Sequence, residues 1–245
     1  MADRTRTLGS NGLENSHPIP IKVWDLPTRL FKWLLVSFVI TAWVSSGFSD
    51  PNMAVHKAAG YGVLVLAVYR LLWGIFGGTT ARFSNFVHSP REIVVYLRSL
   101  HHRKVKTYLG HNPAGGAMVL ALILACAIQP LLGLFASDGV TASGPLADMV
   151  GDQFSGWATA IHSLWFYVIL ALAVVHVAVN LYYQFIRGEN LIGAMITGTK
   201  LVERSAAQTD IQQGSLLVAG LCLIAAGAIV YFGVTLVGGA FFAEA

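Results

Sequence analysis

The chain has 245 residues, of which 55% are hydrophobic and 11% charged, with a formal net charge of +4. Soluble domains carry about 25% charged residues, so a soluble fold is excluded and an integral membrane protein is expected. Its two cysteines, Cys126 and Cys222, fall inside apolar runs, which argues against a disulfide framework, and the lack of a C-x-x-C-H motif excludes covalently attached c-type haem.

Residues 1–21 are polar, contain Pro18 and Pro20 and have no apolar periodicity; they read as a flexible segment with no cleavable leader. IKVWDLPTRLFKW then approaches the first span, with Trp24 and Trp33 as interfacial anchors. Five apolar runs are long enough to cross a bilayer: about 30–48, 54–77, 115–136, 158–185 and 214–240. Backbone groups in lipid must be satisfied internally, so the runs are helices. The second opens on His56 and runs to Arg70 and Trp73. The loop 78–114 holds REIVVYLRSL, an amphipathic stretch suited to the membrane surface. GHNPAGG, residues 110–116, is a turn that launches the third span, and Pro130 kinks or ends that span. The fourth span carries His162 and His176. The fifth has no Asp, Glu, Lys, Arg or His and many small residues, the composition of a packing helix or of a contact with a partner or a second copy.

The basic residues collect in alternate loops. Arg4, Arg6, Lys22 and Arg29 precede the first span, Arg82, Arg91, Arg98, Arg103, Lys104 and Lys106 follow the second, and Arg187, Lys200 and Arg204 follow the fourth. Residues 137–157 hold Asp138, Asp148 and Asp152 and no Lys or Arg. The positive-inside rule then puts the N-terminus in the cytoplasm and the C-terminus outside. Such a distribution suits lipid headgroups and gives no reason to expect nucleic acid.

His162 and His176 are fourteen residues apart. At about 100° per residue they come within about 40° of one face, about 21 Å apart along the axis. That is most of the roughly 30 Å hydrocarbon thickness. Two same-facing imidazoles near opposite membrane faces suit two stacked haems, and haem iron takes axial ligands from facing helices. His56 opens its span at the same outer face as His162, so the two would hold an outer haem. His176 needs a partner at the inner end of a neighbouring helix, and the residue at that depth is Lys32. Lys32 is either functional or reaches back to the headgroups. Arg70, fourteen residues after His56, lies level with an inner haem; it either pairs with a haem propionate or snorkels to the interface.

The strings VWDLPTRLFKW, HKAAGYGVLVLAVYRLLWGIFG, ARFSNFV, YLGHNPAGG and H-x13-H resemble the bacterial cytochrome b561 family, which includes the cytochrome b subunits of nickel–iron hydrogenases. The resemblance covers about residues 22–197. It implies an all-α integral membrane protein with a four-helix haem-binding bundle at 22–197. A linker at 198–213 and a fifth span with a short outer tail at 214–245 would follow. It further implies two b haems in a bacterial inner-membrane protein that passes electrons between a periplasmic partner and the quinone pool. That partner would be a cytochrome c, a dehydrogenase or a hydrogenase-type subunit. On this resemblance His56 and His162 match the outer ligands and His176 one inner ligand.

The chain departs from the family at RLFKW, where members usually read R-L-F-H-W. Lysine could ligate iron, the inner haem could rest on His176 alone, another histidine could substitute, or the inner haem could be absent; the expectation is an inner haem kept on His176, with Lys32 as a weak ligand or beside an open position. His111 stands near the inner level, within reach of a propionate or a quinone headgroup. His17, His88, His101 and His102 read as loop residues. Two further functions stay open: a quinone-coupled oxidoreductase acting on a small outer-face substrate such as superoxide, and a haem-poor assembly subunit.

Overall fold

The computed structural model describes residues 18–46, 52–100, 108–140, 142–202 and 210–237. Among them are eight α-helices: α1 (Leu26–Ser46), α2 (Asn52–Phe76), α3 (Phe83–Phe86), α4 (Pro90–Ser99), α5 (Pro113–Phe135), α6 (Gly151–Phe185), α7 (Leu191–Thr197) and α8 (Leu216–Thr235). Five of these, α1, α2, α5, α6 and α8, are long and apolar enough to cross a membrane. Their flanks are wide apolar surfaces: Ile75 is 61% exposed, Leu164 67% and Ile224 71%. In water such a surface would be untenable, whereas in lipid it is the solvated face. Hydroxyls within the spans bond back to their own helices, as Ser37 does to the Trp33 carbonyl and Ser163 to that of Thr159, because lipid offers no other partner.

Helix starts follow local chemistry. Asp25 Oδ1 accepts from the Thr28 N–H and caps α1. Ser89 and Glu92 form a reciprocal capping box at α4, with Pro90 in the first turn. Asn112 caps α5 ahead of Pro113. Pro130 lies inside α5, which continues to Phe135, so it does not end the helix. α6 starts at Gly151, seven residues before the apolar run that marks it in the sequence. Polar residues such as Asp152 and Gln153 extend it beyond the hydrocarbon. At 35 residues it is about 52 Å long, well over the roughly 30 Å core.

α1 packs on α2, α2 on α5 and α8, and α5 on α6, and Ile169 of α6 shares a core cluster with Val63 of α2 and with Ala125 and Cys126 of α5. The main core lies where α1, α2 and α8 meet. There Trp73, fully buried, stacks on Tyr69 and donates its indole N–H to Thr28 Oγ1 at 3.1 Å. α8 contributes Cys222 and Ala226 to this core and Val230 and Val234 to a second one with Leu64 and Leu134. The fifth span is therefore built into the bundle.

One feature runs against the sequence reading. Ile19–Lys22 form a strand, β1, antiparallel to β2 (Thr199–Val202), with Ile19 opposite Val202 and Lys22 opposite Thr199. The unstructured segment expected to reach residue 21 therefore gives way to a strand at Ile19, and the linker expected at 198–213 contains its partner. α7 stops at Gly198, whose φ of +86° is in the left-handed region. The Gly198 carbonyl accepts from the Val23 and Trp24 N–H groups. This strap ties the start of α1 to the chain following α6.

Candidate functional site

The polar side chains collect at two levels. The level at the end bearing residues 136–140 and 142–150 is called outer, and the level at the end bearing β1, β2, α4 and α7 inner, after the orientation expected from the loop charges. In α6, His162 lies eleven residues from the first residue and His176 nine from the last, so both are well inside the helix.

At the outer level His56 of α2 meets His162 of α6, with ring centroids 6.0 Å apart and planes at 72°. His56 Nδ1 lies 2.8 Å from the Ala42 carbonyl on α1, and His162 Nδ1 lies 2.9 Å from the Gln129 carbonyl on α5. A carbonyl only accepts, so Nδ1 carries the proton in each ring and Nε2 presents a lone pair. The close seat of His162 depends on Gly133. A Cβ there would stand 3.1 Å from His162 Cε1, so even alanine would press on the ring by a few tenths of an ångström, and a bulkier side chain would press harder. The Gln129 amide donates to the His162 carbonyl at 3.0 Å and comes within 3.3 Å of His162 Nε2. A small pocket beside the pair is lined by Lys57, Gly60, Tyr61 and Gly133, and Trp43 stacks on Phe166 across α1 and α6 at 5.7 Å.

The inner level is arranged differently. Lys32 reaches Met195 Sδ of α7 at 2.8 Å and lies over the Trp24 ring at 4.3 Å. His176 Nε2 has the Asn180 amide at 3.2 Å, and that amide also donates to the His176 carbonyl. Arg70 is 2% exposed and does not snorkel. Its Nη2 donates to the Ala81 carbonyl at 3.0 Å, and its guanidinium lies 5.0 Å from the Phe83 ring and 5.6 Å from that of Phe86. Asp25 is within electrostatic reach of both Lys32 and Arg70.

His111 stands immediately before the Asn112 cap, between the Trp24 ring at 4.7 Å and the Phe86 ring at 4.9 Å. Phe86 reaches it because Gly116 lets the Phe86 backbone lie against α5; a Cβ there would stand 2.3 Å from the Phe86 carbonyl oxygen. Burial, reinforced by Lys32, Arg70 and His176 nearby, pushes the His111 imidazole well below its ordinary range, so it is neutral. The outer pair thus comes together as expected, and Lys32, Arg70, His111 and His176 share the inner level. His88 pairs instead with Glu92 at 3.8 Å. His17, His101 and His102 lie outside the described residues.

Sequence reasoning passed over Gln129, Met195, Asn180, Trp24 and Phe86 as site neighbours. Gln129 and Asn180 were both detectable as amides inside apolar spans. The others carry no pattern that sets them apart from packing residues.

Comparison with known proteins supplies the remaining evidence. A family model described as prokaryotic cytochrome b561 matches residues 23–198. A probable Ni/Fe-hydrogenase B-type cytochrome subunit from Rhizobium leguminosarum bv. viciae is 25% identical over 212 residues, covering 74% of this chain and 89% of the relative. No solved structure matches the chain.

Proposed function

The chain belongs to the prokaryotic cytochrome b561 family, and from that premise we propose that it carries electrons between a periplasmic redox partner and the membrane quinone pool. The family makes it a multi-pass membrane cytochrome of b type that works in electron transfer. The observation that carries the finer reading is the outer histidine pair. The two rings are 6.0 Å apart between centroids, so His56 and His162 would be the residues to hold the iron of a b haem between their helices. Both offer Nε2, and both are held by backbone carbonyls on the far side, the usual outer support of a metal-bound imidazole. A b haem held there would supply one-electron iron chemistry.

The chain's own residues do the rest. Ala42 and Gln129 fix the tautomers of His56 and His162. Leu64 and Leu134 are buried beside the pair and keep water out. At the inner level His176 offers one imidazole and Lys32 is turned to Met195, so a second haem there would rest on His176 from one side. Residues 22–197 form the haem-binding unit, with α8 as its buttress; the exposed face of α8, with Leu217 and Ile224, is the surface a second copy would meet.

The charge pattern supports an orientation with the N-terminus inside a bacterial inner membrane and the C-terminus outside. Asp148 and Asp152 then face the periplasm and steer a partner of complementary charge. The relative's description as a hydrogenase cytochrome subunit favours a hydrogenase-type partner, with a small cytochrome c as the other candidate. The test is a haem count per chain with oxidised and reduced spectra, on the wild type and on His162→Ala. Loss of a low-spin b-type signal in the variant supports the reading, and an unchanged spectrum refutes it.

A further inference from the structure

The outer end of the bundle is poor in positive charge. In the segments that build it, residues 42–60, 129–164 and 228–237, Lys57 is the only Lys or Arg, and Asp138, Asp148 and Asp152 stand against it. Lys57 follows His56 in the second turn of α2 and is half-buried. It lines the same cavity as His56 and His162, together with Leu64, Leu134, Gly144 and Pro145. Among the described residues Lys57 pairs with no carboxylate. A charge drawn against apolar side chains is costly unless something pairs with it. The protein here supplies the cation beside the histidines and leaves the anion to come from elsewhere.

We propose that Lys57 pairs with a carboxylate on the rim of the haem that His56 and His162 hold, and thereby sets how readily that iron is reduced. The assignment rests on the electron-transfer reading above. A b haem brings two carboxylates wherever it binds, and at this end the aspartates repel them. Lys57 is the one cation in these segments that can offset that repulsion, and its compact ammonium on a flexible stem suits a single carboxylate. Reduction takes ferric iron to ferrous with one electron from the redox partner or the quinone, and no bond forms or breaks. An unpaired carboxylate nearby favours the ferric form, so neutralising it favours the ferrous form. The rival anion is a lipid phosphate, reached if Lys57 turns out to the headgroups. It fits less well, because Lys57 lines the cavity that both imidazoles share.

The experiment is a potentiometric titration of the full haem-loaded chain in detergent, with infrared difference spectra of haem labelled with carbon-13 in its carboxylates. The outer haem is the component that His162→Ala removes. In Lys57→Gln its reduction equilibrium should move about tenfold toward the ferric form, a midpoint lower by about 59 mV for one electron, with the low-spin spectrum kept. The labelled carboxylate band should shift in the same variant, and Lys57→Arg should restore most of the midpoint. An unchanged midpoint and an unmoved band in Lys57→Gln overturn the pairing and leave the electron-transfer reading standing. A lower midpoint with an unmoved band means that Lys57 acts without touching the haem carboxylate, and also overturns it. If Lys57→Gln retains no haem, the band is read in Lys57→Arg, where exchanging ammonium for guanidinium must shift it; an unmoved band there refutes the pairing. If His162→Ala removes no haem component, the histidine pair and the role of Lys57 fall together.

Discussion

The two levels of the bundle hold the same residue type in different ways. At the outer level both imidazoles are anchored by backbone carbonyls, Ala42 on α1 and Gln129 on α5. Backbone anchors move only if helices move, so that pair is rigid and committed to one geometry. At the inner level Arg70 meets the Ala81 carbonyl, but the other anchors are side chains: Lys32 on Met195, His176 beside Asn180, and His111 between Trp24 and Phe86. Side chains rearrange cheaply, and His111 Nδ1 and Arg70 Nη1 have no hydrogen-bond partner among the described residues. One bundle therefore presents a fixed ligand pair at one end and an adaptable polar cluster at the other.

Removing an outer imidazole gives the largest expected effect. His162→Ala or His56→Ala should lower the outer low-spin haem signal by more than about tenfold, measured as haem per chain after purification. His176→Ala should leave that signal in place. Equal losses from all three would erase the distinction between the levels.

Lys32→His sharpens it from the other side. An imidazole at the depth of Lys32 should add a low-spin signal facing His176, seen as a second component in a potentiometric titration. No change would mean that α1 and His176 do not oppose each other across the inner level.

A smaller effect is expected from the glycine that seats His162. Gly133→Val should push the ring off the Gln129 carbonyl and weaken haem retention roughly tenfold, the usual cost of losing an outer support. Gly227→Ala in α8, where nothing lies within 4 Å of the added carbon, should leave haem retention as it is. If the two variants behave alike, backbone anchoring is not what sets the outer pair apart.

The smallest effect concerns α4, at the inner surface. Ser89→Ala removes its capping box at a cost of about 1 kcal/mol, read as faster amide exchange in its first turn. The Ser89 N–H and hydroxyl hold Glu92 below the usual carboxylate range. For an acid lowered in the folded state the contribution is present above the unfolded value and is lost as pH falls through the folded one. Protection of α4 should therefore drop on acidification in the wild type and be less pH-dependent in Ser89→Ala. Haem content should stay constant in both.

Much of this molecule is legible in one dimension. The five spans, the surface helix at REIVVYLRSL and the shared face of His162 and His176 follow from hydrophobicity and helical period, which are properties of single segments. The caps at Asp25, Ser89 and Asn112 are equally local. Less legible was the strand at Ile19–Lys22, because a four-residue strand exists only through its partner nearly two hundred residues later.

The sequence by itself determined that this is a five-span membrane protein of the cytochrome b561 family and that His162 and His176 share one face of their helix, about 21 Å apart along its axis. Only the tertiary structure decided which carbonyl each outer imidazole meets, that Arg70 is buried under Phe83 and Phe86 rather than turned to the interface, and that Lys32 points to Met195. The reason is physical. Depth and facing repeat along one helix axis, whereas a side chain's partner depends on how closely two helices approach. That approach is set by packing at places such as Gly133 and Gly116, where the absence of a single carbon decides the contact.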